Sequence, residues 1–119
     1  MARKRIREAV LGVGASSGVA SDIELAVGEA LSNVYRHAYN CAAGAVEIQL
    51  DQIGPNVLVT VSDDGHATTP PVVPATLPAT TRTGGRGLYL IRRLVDDVTI
   101  RVNATGHGLV VHLTRCISA

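Results

Sequence analysis

A chain of 119 residues holds one domain's worth of core, and a formal net charge of +1 gives no electrostatic reason to expect direct nucleic-acid binding. Hydrophobic residues make up 46% and charged residues 18%, which excludes a disordered chain. No apolar run approaches the roughly 20 residues that span a bilayer, so no membrane partner is expected.

The N-terminus carries Arg3, Lys4, Arg5 and Arg7, but Gly12, Gly14 and Ser16 interrupt the long apolar stretch that a signal peptide needs. A solvated first helical turn accounts for these charges, and a short helix is expected from Arg3 to Val13. Ser21 and Glu24 have the S-x-x-E spacing of a capping box, which places the start of a second helix there. Ile23, Ala26, Val27, Ala30, Leu31, Val34 and Ala38 form its apolar stripe at i, i+3, i+4, i+7 spacing. Val46, Ile48 and Leu50 alternate with polar residues as in a half-buried strand. Gly54-Pro55-Asn56 makes a turn, and Val57 to Ser62 returns as a second strand.

From His66 to Thr83 the chain turns to Thr, Pro and Ala, with Pro70, Pro71, Pro74 and Pro78, and is expected to be a long loop. Gly84-Gly85-Arg86-Gly87 then opens a helix carrying Leu88, Ile91, Leu94 and Val95. Strands near Val98–Val102 and Leu109–Thr114 follow, joined by a turn with Gly106 and Gly108. The layout predicts a single α+β domain over 1–119, a two-layer α/β sandwich: a mixed, mainly antiparallel sheet with helices on one face. With three Tyr and neither Phe nor Trp, its core must come from Val, Leu, Ile and Ala. Cys41 and Cys116 are far apart and lack metal spacing, as expected of reduced thiols in a cytoplasmic protein.

Three features carry chemistry. Glu29, Asn33 and His37 recur every four residues and drift only about 40° per step, so they share one helical stripe. A carboxylate and an amide one turn apart suit a divalent ion and a proton acceptor, although an ordinary solvated face has the same pattern. Ser62-Asp63-Asp64-Gly65 closes a strand with an Asp that can accept from an exocyclic amine, and a Gly that lets a planar ring approach. By itself it is also a plain Asp-Gly turn. Gly84 to Gly87 offers a glycine-rich helix start suited to phosphates. It is no Walker A loop, because no Lys-Ser/Thr follows, and no βαβ unit precedes it as a dinucleotide fingerprint requires.

In this order the features resemble the Bergerat ATP-binding fold of the histidine kinases and their relatives. Gly28-Glu29-Ala30-Leu31-Ser32-Asn33-Val34-Tyr35-Arg36-His37-Ala38-Tyr39 looks most like the N box of the serine/threonine kinases that act as anti-sigma factors. Gly85-Arg86-Gly87-Leu88-Tyr89-Leu90-Ile91, followed by Val95-Asp96-Asp97-Val98, is similar to that group's final glycine box. The resemblance runs from about Ser21 to Leu113. It implies ATP and Mg²⁺ as cofactors, with Glu29 as general base, Asn33 on Mg²⁺ and His37 bracing the site. Asp63 would meet the adenine amine with Gly65 beneath the ring, Gly85 and Gly87 would lie against the phosphates with Arg86 reaching them, and residues 66–83 would be the ATP lid. The implied enzyme phosphorylates a serine or threonine of an anti-sigma-factor antagonist, binds a sigma factor and forms a homodimer.

Two rival readings share these residues: the catalytic domain of a two-component histidine kinase, and a non-catalytic nucleotide-binding docking module. The sequence departs from the family in three places. Ala67 stands where a second glycine is common, and Leu109 follows Gly108 where a Thr or Ser is usual. Only about twenty residues precede the expected box, so either the sheet lacks an edge strand or the chain is truncated.

Overall fold

In the computed structural model the described residues are 2–34, 46–65, 85–117 and, between the last two stretches, 68, 70, 71 and 73. Helices α1 (Ala2–Gly12) and α2 (Ser17–Asn33) come first. A hairpin of β1 (Val46–Ile53) and β2 (Asn56–Asp63) follows, then α3 (Gly85–Leu94), β3 (Asp97–Val102) and β4 (Leu109–Cys116). The four strands lie in the order β1-β2-β4-β3, and every described pairing is antiparallel. The α+β two-layer arrangement is the one expected. Its described ladder contains no parallel pair because β4 lies between β2 and β3, the two strands joined through α3 that run in the same direction.

Helix α2 begins five residues earlier than the capping-box spacing suggests. Ser16 is the N-cap, in extended conformation, and its side chain accepts from the Val19 backbone N–H. Ser21 instead lies inside the helix, where the Arg7 guanidinium donates to its hydroxyl at 2.7 Å and pairs with Glu24 at 3.6 Å. The Ser-Glu pair is thus a docking point for α1 rather than a helix start. Of the N-terminal basic residues, Lys4 and Arg5 are exposed as expected, while Arg7 is half-buried in this contact.

The α2 stripe meets the sheet as its spacing requires: Ile23, Ala26, Val27, Ala30 and Val34 are buried, and Leu31 packs partly against them. Ala38 lies outside the described residues. Strand β2 alternates strictly, burying Val57, Val59 and Val61 against the helices and turning Leu58 and Thr60 to the other face. Ile91 of α3 and Leu113 of β4 complete the core, so Val, Leu, Ile and Ala do fill it. The β1–β2 turn holds two residues, Gly54 and Pro55, and Gly54 supplies the positive φ (+58°) that its first position needs. Among the described residues no helix is long and apolar enough to cross a membrane.

Candidate functional site

Alternation along β2 decides where Asp63 goes. It extends the inward series of Val57, Val59 and Val61 by one step, so its side chain enters the layer between sheet and helices and is only 3% exposed. One carboxylate oxygen, Oδ1, accepts from the Gly65 N–H at 2.8 Å and from the Leu109 N–H at 3.3 Å. The other, Oδ2, is buried with no hydrogen-bond partner among the described residues. Leaving a buried acceptor unsatisfied costs about 1–3 kcal/mol. A ligand that brings an N–H to Oδ2 removes that cost, and the exocyclic amine of adenine is such a donor.

The β3–β4 turn forms the wall against which this carboxylate is set. Asn103 donates from Nδ2 to the Asp63 carbonyl at 3.2 Å, and His107 Nδ1 lies 2.9 Å from the Gly65 carbonyl. Gly108 crosses so close that a Cβ there would stand 2.3 Å from the Asp63 carbonyl oxygen, and its φ of +84° also favours glycine. Asn103, His107 and Gly108 were not among the site residues expected from sequence. Their composition, with Gly106 and Gly108 around a His, reads as an ordinary turn, and only the β2–β4 register brings it over Asp63.

The second half of the site joins α2 to α3. Glu29 and Asn33 are both half-buried, one turn apart near the C-terminal end of α2. Gly85, Arg86 and Gly87 are the first three residues of α3. A Cβ at Gly87 would lie 3.0 Å from Glu29 Oε2, so the two sequence motifs meet directly. A helix start also presents unpaired N–H groups and the positive dipole end, which favour an anion. The structure therefore brings Glu29 to Gly87 and Asp63 to Gly65. His37, Ala67, the side chain of Arg86 and most of 66–83 lie outside the described residues, although Val73 packs partly against the core. Leu109 has no hydroxyl to offer, and it is its backbone N–H that serves Asp63.

The candidate site thus has two parts, a carboxylate aimed between sheet and helices and a glycine-rich helix start set against Glu29. The family model for the histidine kinase-like ATPase domain matches residues 1–115, and the chain belongs to that family, which implies ATP binding. The chain is 29% identical over 106 residues to the serine-protein kinase RsbW of Oceanobacillus iheyensis, covering 82% of this chain and 65% of that one. With the serine-protein kinase RsbW of Staphylococcus aureus it shares 29% identity over 114 residues, covering 87% of this chain and 70% of the relative. Among solved structures, the histidine kinase domain of the blue-light activated histidine kinase from Erythrobacter litoralis EL346 superposes with a TM-score of 0.63. It has 24% identity and covers 97% of this chain and 59% of that chain, a likeness of fold. The chain thus spans about two thirds of the length of the kinases it matches.

Proposed function

We propose that the chain is an ATP- and Mg²⁺-dependent serine/threonine kinase domain of the anti-sigma-factor type. The observation that carries this reading is Asp63: a buried carboxylate whose Oδ1 is fixed by two backbone donors and whose Oδ2 is left for a ligand. In this reading Oδ2 accepts from the adenine amine and Gly65 lies beneath the ring. The backbone N–H groups of Gly85, Arg86 and Gly87 face the phosphates from the positive end of α3. The Asn33 amide oxygen, with Glu29 one turn back, fits a Mg²⁺ ion, a hard cation that takes oxygen ligands and would offset phosphate charge.

Glu29 takes the proton of the attacking serine or threonine hydroxyl. The hydroxyl oxygen bonds to the γ-phosphorus, the bond to the bridging oxygen breaks, and ADP leaves; a positioned base contributes about 10²–10⁴-fold. The likeness to RsbW kinases supports a small anti-sigma-factor antagonist as substrate and a sigma factor as second partner. His37 and the segment 66–83 complete the proposal as a brace and an ATP lid, within one domain spanning 1–119 that assembles as a cytoplasmic homodimer.

Calorimetric titration with ATP, ADP and GTP, with and without Mg²⁺, tests the reading on wild type and on Asp63→Asn. Wild type should bind ATP saturably and more tightly with Mg²⁺, while Asp63→Asn should lose its preference for ATP over GTP, because a buried group built for one amine discriminates strongly. An Asp63→Asn variant with wild-type selectivity would place the base elsewhere. Transferred phosphate should survive acid, as on Ser or Thr; acid-labile phosphate would instead support the histidine kinase reading.

A further inference from the structure

We propose that His107 is a positioning residue that sets nucleobase selectivity by holding the Gly65 carbonyl, an inference that rests on the nucleotide reading of Asp63. A carbonyl oxygen only accepts, so the His107 Nδ1 that meets it at 2.9 Å carries the proton. The same Nδ1 stands 3.5 Å from Asp64 Oδ1, a second acceptor on the same turn. The tie then runs through one residue. His107 fixes the Gly65 carbonyl, the Gly65 N–H fixes Asp63 Oδ1 at 2.8 Å, and the direction of Oδ2 follows.

The element that carries His107 is itself braced. Asn103 N–H donates to the Gly108 carbonyl at 2.8 Å, Gly106 N–H to the Asn103 carbonyl at 2.9 Å, and the Thr105 hydroxyl to the His107 carbonyl at 3.0 Å. Asn103 and the Leu109 N–H hold Asp63 directly, so His107 adds the third tie and the one on Gly65. Its side chain is 49% exposed, which leaves little buried area to lose on substitution. A residue of this kind affects the aim of a neighbouring carboxylate far more than it affects the fold. Adenine offers an amine where guanine offers a carbonyl, so a carboxylate free to turn discriminates less between them.

Two substitutions separate donor from bulk. Asn places an amide nitrogen on Cγ, where His carries Nδ1, whereas Gln places its amide one bond further out. In calorimetric titration of the full chain, His107→Gln should lower ADP affinity about three- to tenfold and narrow the preference for ADP over GDP. His107→Asn should restore both, and the melting temperatures of the two variants should agree. Wild-type selectivity in His107→Gln, or failure of His107→Asn to restore it, overturns the proposal while leaving the Asp63 reading intact. Absence of ADP binding in the wild type rejects the Asp63 reading and this inference with it.

Discussion

Gly108→Ala tests the closest approach in the site. The new Cβ would stand 2.3 Å from the Asp63 carbonyl oxygen, 3.1 Å from its carbon and 3.2 Å from Oδ1, all atoms of a buried strand end that cannot swing aside. Ordinary contact begins near 3.4 Å, so the turn must retreat by about 1 Å. That stretches the Leu109 N–H to Oδ1 bond from 3.3 Å and the Asn103 to Asp63 carbonyl bond from 3.2 Å, both beyond useful range. The first involves a carboxylate and is worth about 1.5–3 kcal/mol, the second about 0.5–1.5 kcal/mol. A left-handed φ on Ala adds about 1–2 kcal/mol.

Gly106→Ala is the matched control, with φ of +95° and nothing within 4 Å of its Cβ, so it suffers the backbone cost alone. At about 4 °C per kcal/mol for a domain of this size, Gly108→Ala should lower Tm by about 12–26 °C and Gly106→Ala by about 4–8 °C. Thermal melts followed by circular dichroism, with urea titrations to confirm equal m-values, read the difference. Equal shifts in the two variants would refute the close packing of the turn on Asp63.

Gly87→Ala should separate stability from activity. Alanine in the first turn of α3 stabilises the helix by about 0.5–1 kcal/mol, yet its Cβ at 3.0 Å from Glu29 Oε2 pushes the carboxylate aside. Tm should hold or rise while the phosphotransfer proposed above falls about three- to tenfold; unchanged turnover would reject Glu29 as the proposed base. His112 gives a pH prediction, since burial and then the Arg101 charge hold its imidazole below the ordinary value. The folded state therefore favours the neutral ring, and its contribution is complete above the unfolded value of about 6.5 and declines as pH falls below that. His112→Gln should flatten the fall in Tm between pH 7 and 5, and an unchanged slope would assign it to other groups.

What the sequence made legible was local. The α2 stripe, the β1–β2 hairpin and the helix opened by Gly85 to Gly87 are each specified by periodicity or turn chemistry within a dozen residues. Helix α2 was placed too late because Ser21 and Glu24 have the spacing of a cap, while their actual partner, Arg7, lies fourteen residues from Ser21. Ser16, the true cap, is followed by Gly18, which hides the signal. Asp63 was legible as a strand-end carboxylate, and the freedom of one of its oxygens was not. That depends on which oxygen the Gly65 and Leu109 N–H groups take, and Leu109 reaches it only through the pairing of β2 with β4.

That same pairing fixes the order in which the domain can assemble as it is made. The β1–β2 hairpin and the α1–α2 pair are complete within the first 63 residues, but β2 gains its second neighbour only when residues 110–116 exist. Long-range strand pairing is slow, and growing chains fold from the N-terminal side. The edge of β2 that pairs with β4 is thus left open until late, and the surroundings of the Asp63 carboxylate, which need the Leu109 N–H, are among the last features to close. A nascent chain stalled before β4 would hold a hairpin with one edge of β2 unpaired, the kind of edge that templates pairing with another chain.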